Sequence, residues 1–132
     1  MRYLSALIAV ALSSCSPAAD PVVIEKLEQI IEVRERMVEE TILLFQLGKA
    51  NPANSLIALS EAKIALATEQ NDFPAIIAER EKIVECLKKL SDRMRALAEE
   101  DRKTQTDIPE MMVDVIEAEI RLHRAKAKHG VK

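Results

Sequence analysis

Tryptophan is absent from these 132 residues, and Tyr3, Phe45 and Phe73 are the only aromatic side chains. A core without large rings has to be filled by aliphatic side chains and alanine, which suits close helix packing better than a deep ligand pocket. Glycine occurs only twice. The rest of the composition, 48% hydrophobic and 31% charged and built mainly from Ala, Leu, Ile, Glu, Lys and Arg, favours helix throughout. Long apolar runs are missing as well. Beyond the first dozen residues no segment reaches the roughly 20 apolar residues that span a bilayer, so any membrane attachment has to come from the N-terminal segment.

Positive charge is in deficit: 19 basic residues face 22 acidic ones, a net charge of −3. An acidic chain meets repulsion where nucleic-acid binders gain from counterion release, so nucleic acid is not an expected partner. Histidine occurs twice, as His123 and His129. No Glu-x-x-His or His-Glu-x-x-His pattern accompanies them, and two residues six apart on one helix do not supply the three convergent ligands of a catalytic metal. No metal or other cofactor is expected. Glu99-Glu100-Asp101 is contiguous sequence at a helix end and not a convergent carboxylate pair, and neither a phosphate-binding glycine loop nor a nucleophile–base pair stands out. The sequence does not read as an enzyme.

What is present begins with the first fifteen residues. Arg2 precedes a short apolar run from Leu4 to Leu12, followed by Ser13-Ser14-Cys15. A positive residue, a short apolar stretch and small residues form an export signal. Leu12-Ser13-Ser14-Cys15 resembles the lipobox of bacterial lipoproteins. That resemblance implies that Cys15 receives a diacylglycerol and that cleavage leaves it as the new N-terminus. Two rivals, cleavage by the ordinary peptidase near Ala18 or Ala19 and an uncleaved buried helix, leave the serines and the cysteine unexplained. Removal of residues 1–14 takes away Arg2 alone, so the remaining 118 residues carry a charge of −4. Diacylglycerol plus an amide-linked chain, each buried methylene contributing about 0.8 kcal/mol, makes a permanent anchor. Ser16 stands where an Asp would favour retention at the inner membrane in Gram-negative lipoproteins. The expected location is therefore the periplasmic side of the cell envelope, with the outer membrane favoured. Pro17 to Pro21 reads as a brief tether, so residues 15–21 join the anchor to one helical domain spanning 22–129.

That domain is expected to be all-α, with four helices forming two antiparallel helical hairpins, residues 22–70 and 73–129. Val23, Ile24, Leu27, Ile30, Ile31, Met37, Val38, Ile42, Leu44 and Phe45 recur at the helical period from Val22 to Leu47, with Glu25, Glu28, Glu32, Glu35 and Glu39 as a solvated acidic stripe. Gly48 ends this helix, and Asn51-Pro52 starts a second one running to about residue 70 by its sequence pattern. Its few charges and its alanines predict that it lies innermost. Asn71-Asp72-Phe73-Pro74 breaks the chain. A third helix then runs to Arg102, with Ile76, Ile83, Leu90 and Leu97 spaced by sevens and Leu87 and Met94 interleaved, the pattern of a coiled-coil seam. Asp107 and Glu110 read as a capping box, with Pro109 in the first turn, opening a fourth helix to Lys128 whose core stripe is Met111, Met112, Val115, Ala118, Leu122 and Ala125.

The hairpins also match each other. Glu61-Ala62-Lys63-Ile64-Ala65-Leu66 parallels Glu117-Ala118-Glu119-Ile120-Arg121-Leu122. The capped starts Asn51 and Asp107 keep the same offset, and Arg36-Met37 matches Arg93-Met94 after one gap. These correspondences read as an internal duplication. A charged helix, a turn and an Ala-rich helix with Glu-Ala-x-Ile-x-Leu, best seen from Gly48 to Leu66 and repeated from Thr106 to Leu122, resemble the long α-hairpins of the outer-membrane efflux factor family. The resemblance implies helical hairpins. The β-strands of that family have no counterpart here, and the turn from Arg102 to Asp107 lacks the glycine.

Three charged residues fall on apolar stripes: Arg34, Arg80 and Glu119. They are candidates for interhelical or intersubunit charge contacts, with snorkelling at the seam edge as the plainer reading. Cys86 is the one thiol left once Cys15 is acylated, a free thiol expected to be partly covered. The sequence thus predicts a lipid-anchored structural or protein-interaction module, held to the membrane through Cys15 and meeting a protein partner or itself through helix faces. An accessory of an envelope transport assembly and a small ligand- or metal-binding bundle are the alternatives.

Overall fold

The helix boundaries follow from local chemistry at the breaks. In the computed structural model, which describes residues 18–99 and 107–131, four helices occur: α1 (Pro21–Gln46), α2 (Ala53–Glu69), α3 (Phe73–Ala98) and α4 (Ile108–Lys128). Asp20 caps α1 through a 2.9 Å bond from the Val22 N–H to Oδ1. Asn51 Oδ1 accepts from the Ala53 N–H at 3.0 Å, and Asp72 Oδ1 from the Ala75 N–H at 3.2 Å. Each bond satisfies a backbone donor that the first helical turn leaves open, but at α2 the cap position falls on Pro52, one residue later than expected, and Asn51 acts from just outside the helix. α1 stops where Gly48 takes φ +72° and the Lys49 N–H reaches back to the Leu44 carbonyl at 2.9 Å. α2 stops in the same way at Asn71, φ 54°, with Asp72 N–H bonded to the Ala67 carbonyl at 2.8 Å. Left-handed backbone at this position favours glycine and tolerates asparagine.

The expected capping box at the fourth helix does not form. Asp107 adopts φ −88°, ψ −13°, already helical, and its side chain makes no capping bond. A cap needs extended backbone to swing the carboxylate over the first turn. The expected stretch of α3 towards Arg102 lies, from residue 100 on, outside the described residues. So do residues 1–17, and with them the export segment and Cys15.

Packing follows chain order: α1 lies on α2, α2 on α3 and α3 on α4, and among the described residues α1 makes no comparable contact with α3 or α4. The two antiparallel hairpins are therefore side by side in an open row. α2 is flanked on both sides, as its small, apolar circumference predicts, but the core sits mainly on α3. Ile83, Val84, Leu87, Leu90 and Met94 join Ala53 of α2 and Met111 and Ala118 of α4 in one cluster. A second cluster joins Ile64 and Ala67 to Ile76. α3 has two neighbours of its own, so beside the buried row the sequence advertised it carries a mixed one, in which Ile77, Val84 and Ser91 are buried and Glu81, Lys88 and Arg95 exposed. The row Ile76, Arg80, Ile83, Leu87, Leu90 and Met94 meets α2, as the Arg80–Glu61 ion pair shows. The row Ile77, Glu81, Val84, Lys88, Ser91 and Arg95 meets α4, where Lys126 lies 3.5 Å from Glu81.

The two hairpins can be compared by register. Thr41 and Ser55 share a 3.1 Å hydrogen bond between α1 and α2, and Val38 is buried on the same row. That row, Ile24, Leu27, Ile31, Arg34 and Val38, becomes Glu81, Val84, Lys88, Ser91 and Arg95 when 57 is added. It is the row α3 turns to α4. The two hairpins therefore close with equivalent faces.

Candidate functional site

A helix at the end of an open row has one neighbour, and its other apolar positions stay in water. All but Ile42 of the ten-residue stripe read for α1 fall into two seams about 100° apart, the second completed by Val33, which the stripe did not include. Ile24, Leu27, Ile31, Val38 and Phe45 turn towards α2, whereas Val23, Ile30, Val33, Met37 and Leu44 are exposed, Ile30 at 46% and Val33 at 48%. Ile30, Val33 and Met37, with Lys26, Gln29 and Arg34, line a groove of about 500 Å³ along the helix. α4 repeats the situation. Met111 and Ala118 are buried and Val115, Leu122 and Ala125 half-buried, but Met112 is exposed, contrary to the stripe expected for it. Met112 instead joins Val113, Ile116 and Ile120 on an uncovered face, Ile116 being 54% exposed. Exposed apolar side chains therefore line one face of each end helix.

The second feature is electrostatic. At the end of the row where the chain enters α1, the Asp20 N–H donates to Glu69 Oε1 at 3.0 Å and Phe73 stacks on His129 with ring centroids 4.5 Å apart. Beside them opens a cleft of about 350 Å³ with Ile64, Thr68 and Ile76 in its wall and Arg80, Arg121, Arg124, Lys128 and His129 around it. Among the described residues no acidic side chain lines it. Arg80 is held by Glu61, and Arg121 lies 3.7 Å from Glu117. The Lys and Arg residues of the last turns also suit the negative end of the α4 dipole.

The remaining sequence candidates separate. Arg80 pairs across helices. Arg34 is half-exposed with its guanidinium 4.0 Å from Met37 Sδ, and Glu119 is exposed; neither makes an interhelical ion pair among the described residues. Cys86 is a half-buried free thiol on α3. His123 is exposed, while His129 is half-buried against Phe73. Among the described residues no three His, Cys, Asp or Glu side chains converge as metal ligands, and no helix is long and apolar enough to cross a membrane.

The chain matches no family model, no curated protein and no solved structure. Its reading therefore rests on its own residues. Asp114 of α4 is pushed above the usual range, mainly by partial burial and then by its neighbours Glu110 and Glu117, against the pull of Arg121. The sequence missed the uncovered seams because an exposed and a buried apolar position look alike in a helical repeat. The signal was nonetheless there, since α1 carries more apolar positions than one neighbour can cover.

Proposed function

We propose that the chain is an exported, lipid-anchored helical module of the cell envelope that works by holding another protein and not by catalysis. The observation that carries the holding role is the pair of uncovered seams on the two terminal helices, Ile30-Val33-Met37 and Val113-Ile116-Ile120. The address is carried by Leu12-Ser13-Ser14-Cys15 at the end of the apolar run. Asp20 is five residues past Cys15, so the anchored end of the row stands close to the lipid surface. Metabolic labelling of expressing cells with a radioactive fatty acid tests the address. Label in the wild type that disappears in Cys15→Ala supports it, and label retained in that variant overturns it.

A small-ligand reading is favoured by one observation, the cleft with a cationic rim and an apolar wall. A small anion with an apolar body fits that chemistry, and a ligand that binds the folded state raises the melting temperature. A thermal-shift panel of organic phosphates and carboxylates reads it directly. No shift in wild type, or the same shift in Arg124→Ala, removes this reading.

A further inference from the structure

Both uncovered seams have covered equivalents inside the same chain. Adding 57 to Val23, Lys26, Ile30, Val33 and Met37 of α1 gives Arg80, Ile83, Leu87, Leu90 and Met94, the row with which α3 receives α2. Adding 56 to Leu56, Ile57, Ser60 and Ile64 of α2 gives Met112, Val113, Ile116 and Ile120 of α4. The α2 set packs against the core or is buried, whereas the α4 set is exposed. Each terminal helix thus presents one half of a contact that the chain already makes internally. Repeat arrays stay separate when their end units carry polar outer faces, and in this one an exposed apolar seam lies beside the charged residues of each end helix.

We propose that the partner is a second copy of this chain, joined head to tail: α4 of one copy packs on α1 of the next as α2 packs on α3. This rests on reading the chain as an interaction module and supplies that module's partner. The charges fit the register. Arg80–Glu61, the ion pair of the α2–α3 contact, has Val23 and Glu117 as its equivalents, and Lys26, about one turn from Val23, restores the cation to the same seam. Because the two faces differ, the contact is heterologous, and it builds a ring or an open filament according to whether its rotation closes.

The test uses the full chain carrying Cys15→Ser, so that no acyl chain contributes, in sedimentation velocity over a wide concentration range. The unaltered faces are expected to give species above the monomer that grow with concentration. Val33→Glu, which spoils only the α1 face, and Ile116→Glu, which spoils only the α4 face, each give monomer. Mixed in equal amounts they give a dimer of twice the monomer mass and nothing larger, since one sound face remains on each. Both substitutions replace exposed side chains, and unchanged circular dichroism verifies the fold. A parent that stays monomeric throughout, a variant that still self-associates, or a mixture that stays monomeric overturns the proposal. Fatty-acid labelling at Cys15 reports the anchor separately, and an in-cell crosslink at Val33 to a different protein, with a monomeric parent, leaves the interaction-module reading standing while the self-association fails.

Discussion

Leu87 and Ile30 occupy equivalent register positions on α3 and α1, yet Leu87 is 0% exposed and Ile30 is 46% exposed. Truncation to alanine at the two sites should therefore have very different costs. Leu87 is enclosed between α2 and α4, and its loss removes the transfer energy of its methyl groups and leaves a cavity, about 3 kcal/mol in all. In a domain of this size about 4 °C of melting temperature goes with each kcal/mol, so Leu87→Ala should melt about 12 °C lower. Ile30→Ala loses only partial burial and gains about 0.4 kcal/mol of helix propensity, which leaves it within about 0.5 kcal/mol of the parent. Thermal melts followed by circular dichroism at high dilution, where association does not contribute, measure both. Equal losses at the two positions would refute the reasoning, because they would mean that the α1 seam is already covered within one chain.

Three further outcomes follow from the same packing. Ser60 Oγ is buried without a hydrogen-bond partner among the described residues, so Ser60→Ala should raise stability by about 1 kcal/mol in urea melts, from relieved desolvation and better helix propensity. Arg80 and Glu61, with side chains 16% and 46% exposed, should show a double-mutant coupling of about 0.5–1 kcal/mol that weakens with salt, whereas the more exposed Lys89–Glu85 pair should show almost none. Asp114 has a raised folded pKa, so the folded state binds its proton more tightly than the unfolded chain and charging it opposes folding as pH rises through that value. Asp114→Asn should accordingly melt higher than the parent at neutral pH, and the difference should close as pH falls below the unfolded carboxylate pKa.

The sequence was most informative where one residue type has one use. Gly48 ends α1 in left-handed backbone, Asn71 ends α2 in the same way, and Asp20 and Asp72 cap the helices that follow them. The α3 seam was readable because Ile76, Ile83 and Leu90 repeat by sevens, and all three are buried. Its companion row was not, since Ser91 and Ala98 interrupt the apolar signal and only the presence of two flanking helices makes them interior. Asp107 misled because a capping box is a conformation as well as a spelling. Met112 misled because it neighbours Met111, and adjacent helical positions point about 100° apart. The cationic cleft escaped the sequence entirely, since Arg80 and Arg124 lie on different helices and meet only through the packing of α3 on α4.

The central claim is that the row of helices is open, with its two end faces in water until another copy covers them. Thiol labelling tests it most directly, using Val33→Cys and Ile116→Cys in a full chain whose own cysteines are replaced by serine. At high dilution both thiols should react with a water-soluble maleimide as fast as an exposed reference, and both should slow together as the protein is concentrated. Protection of both at every concentration would contradict the account, since it would mean that α1 and α4 close on each other within a single chain.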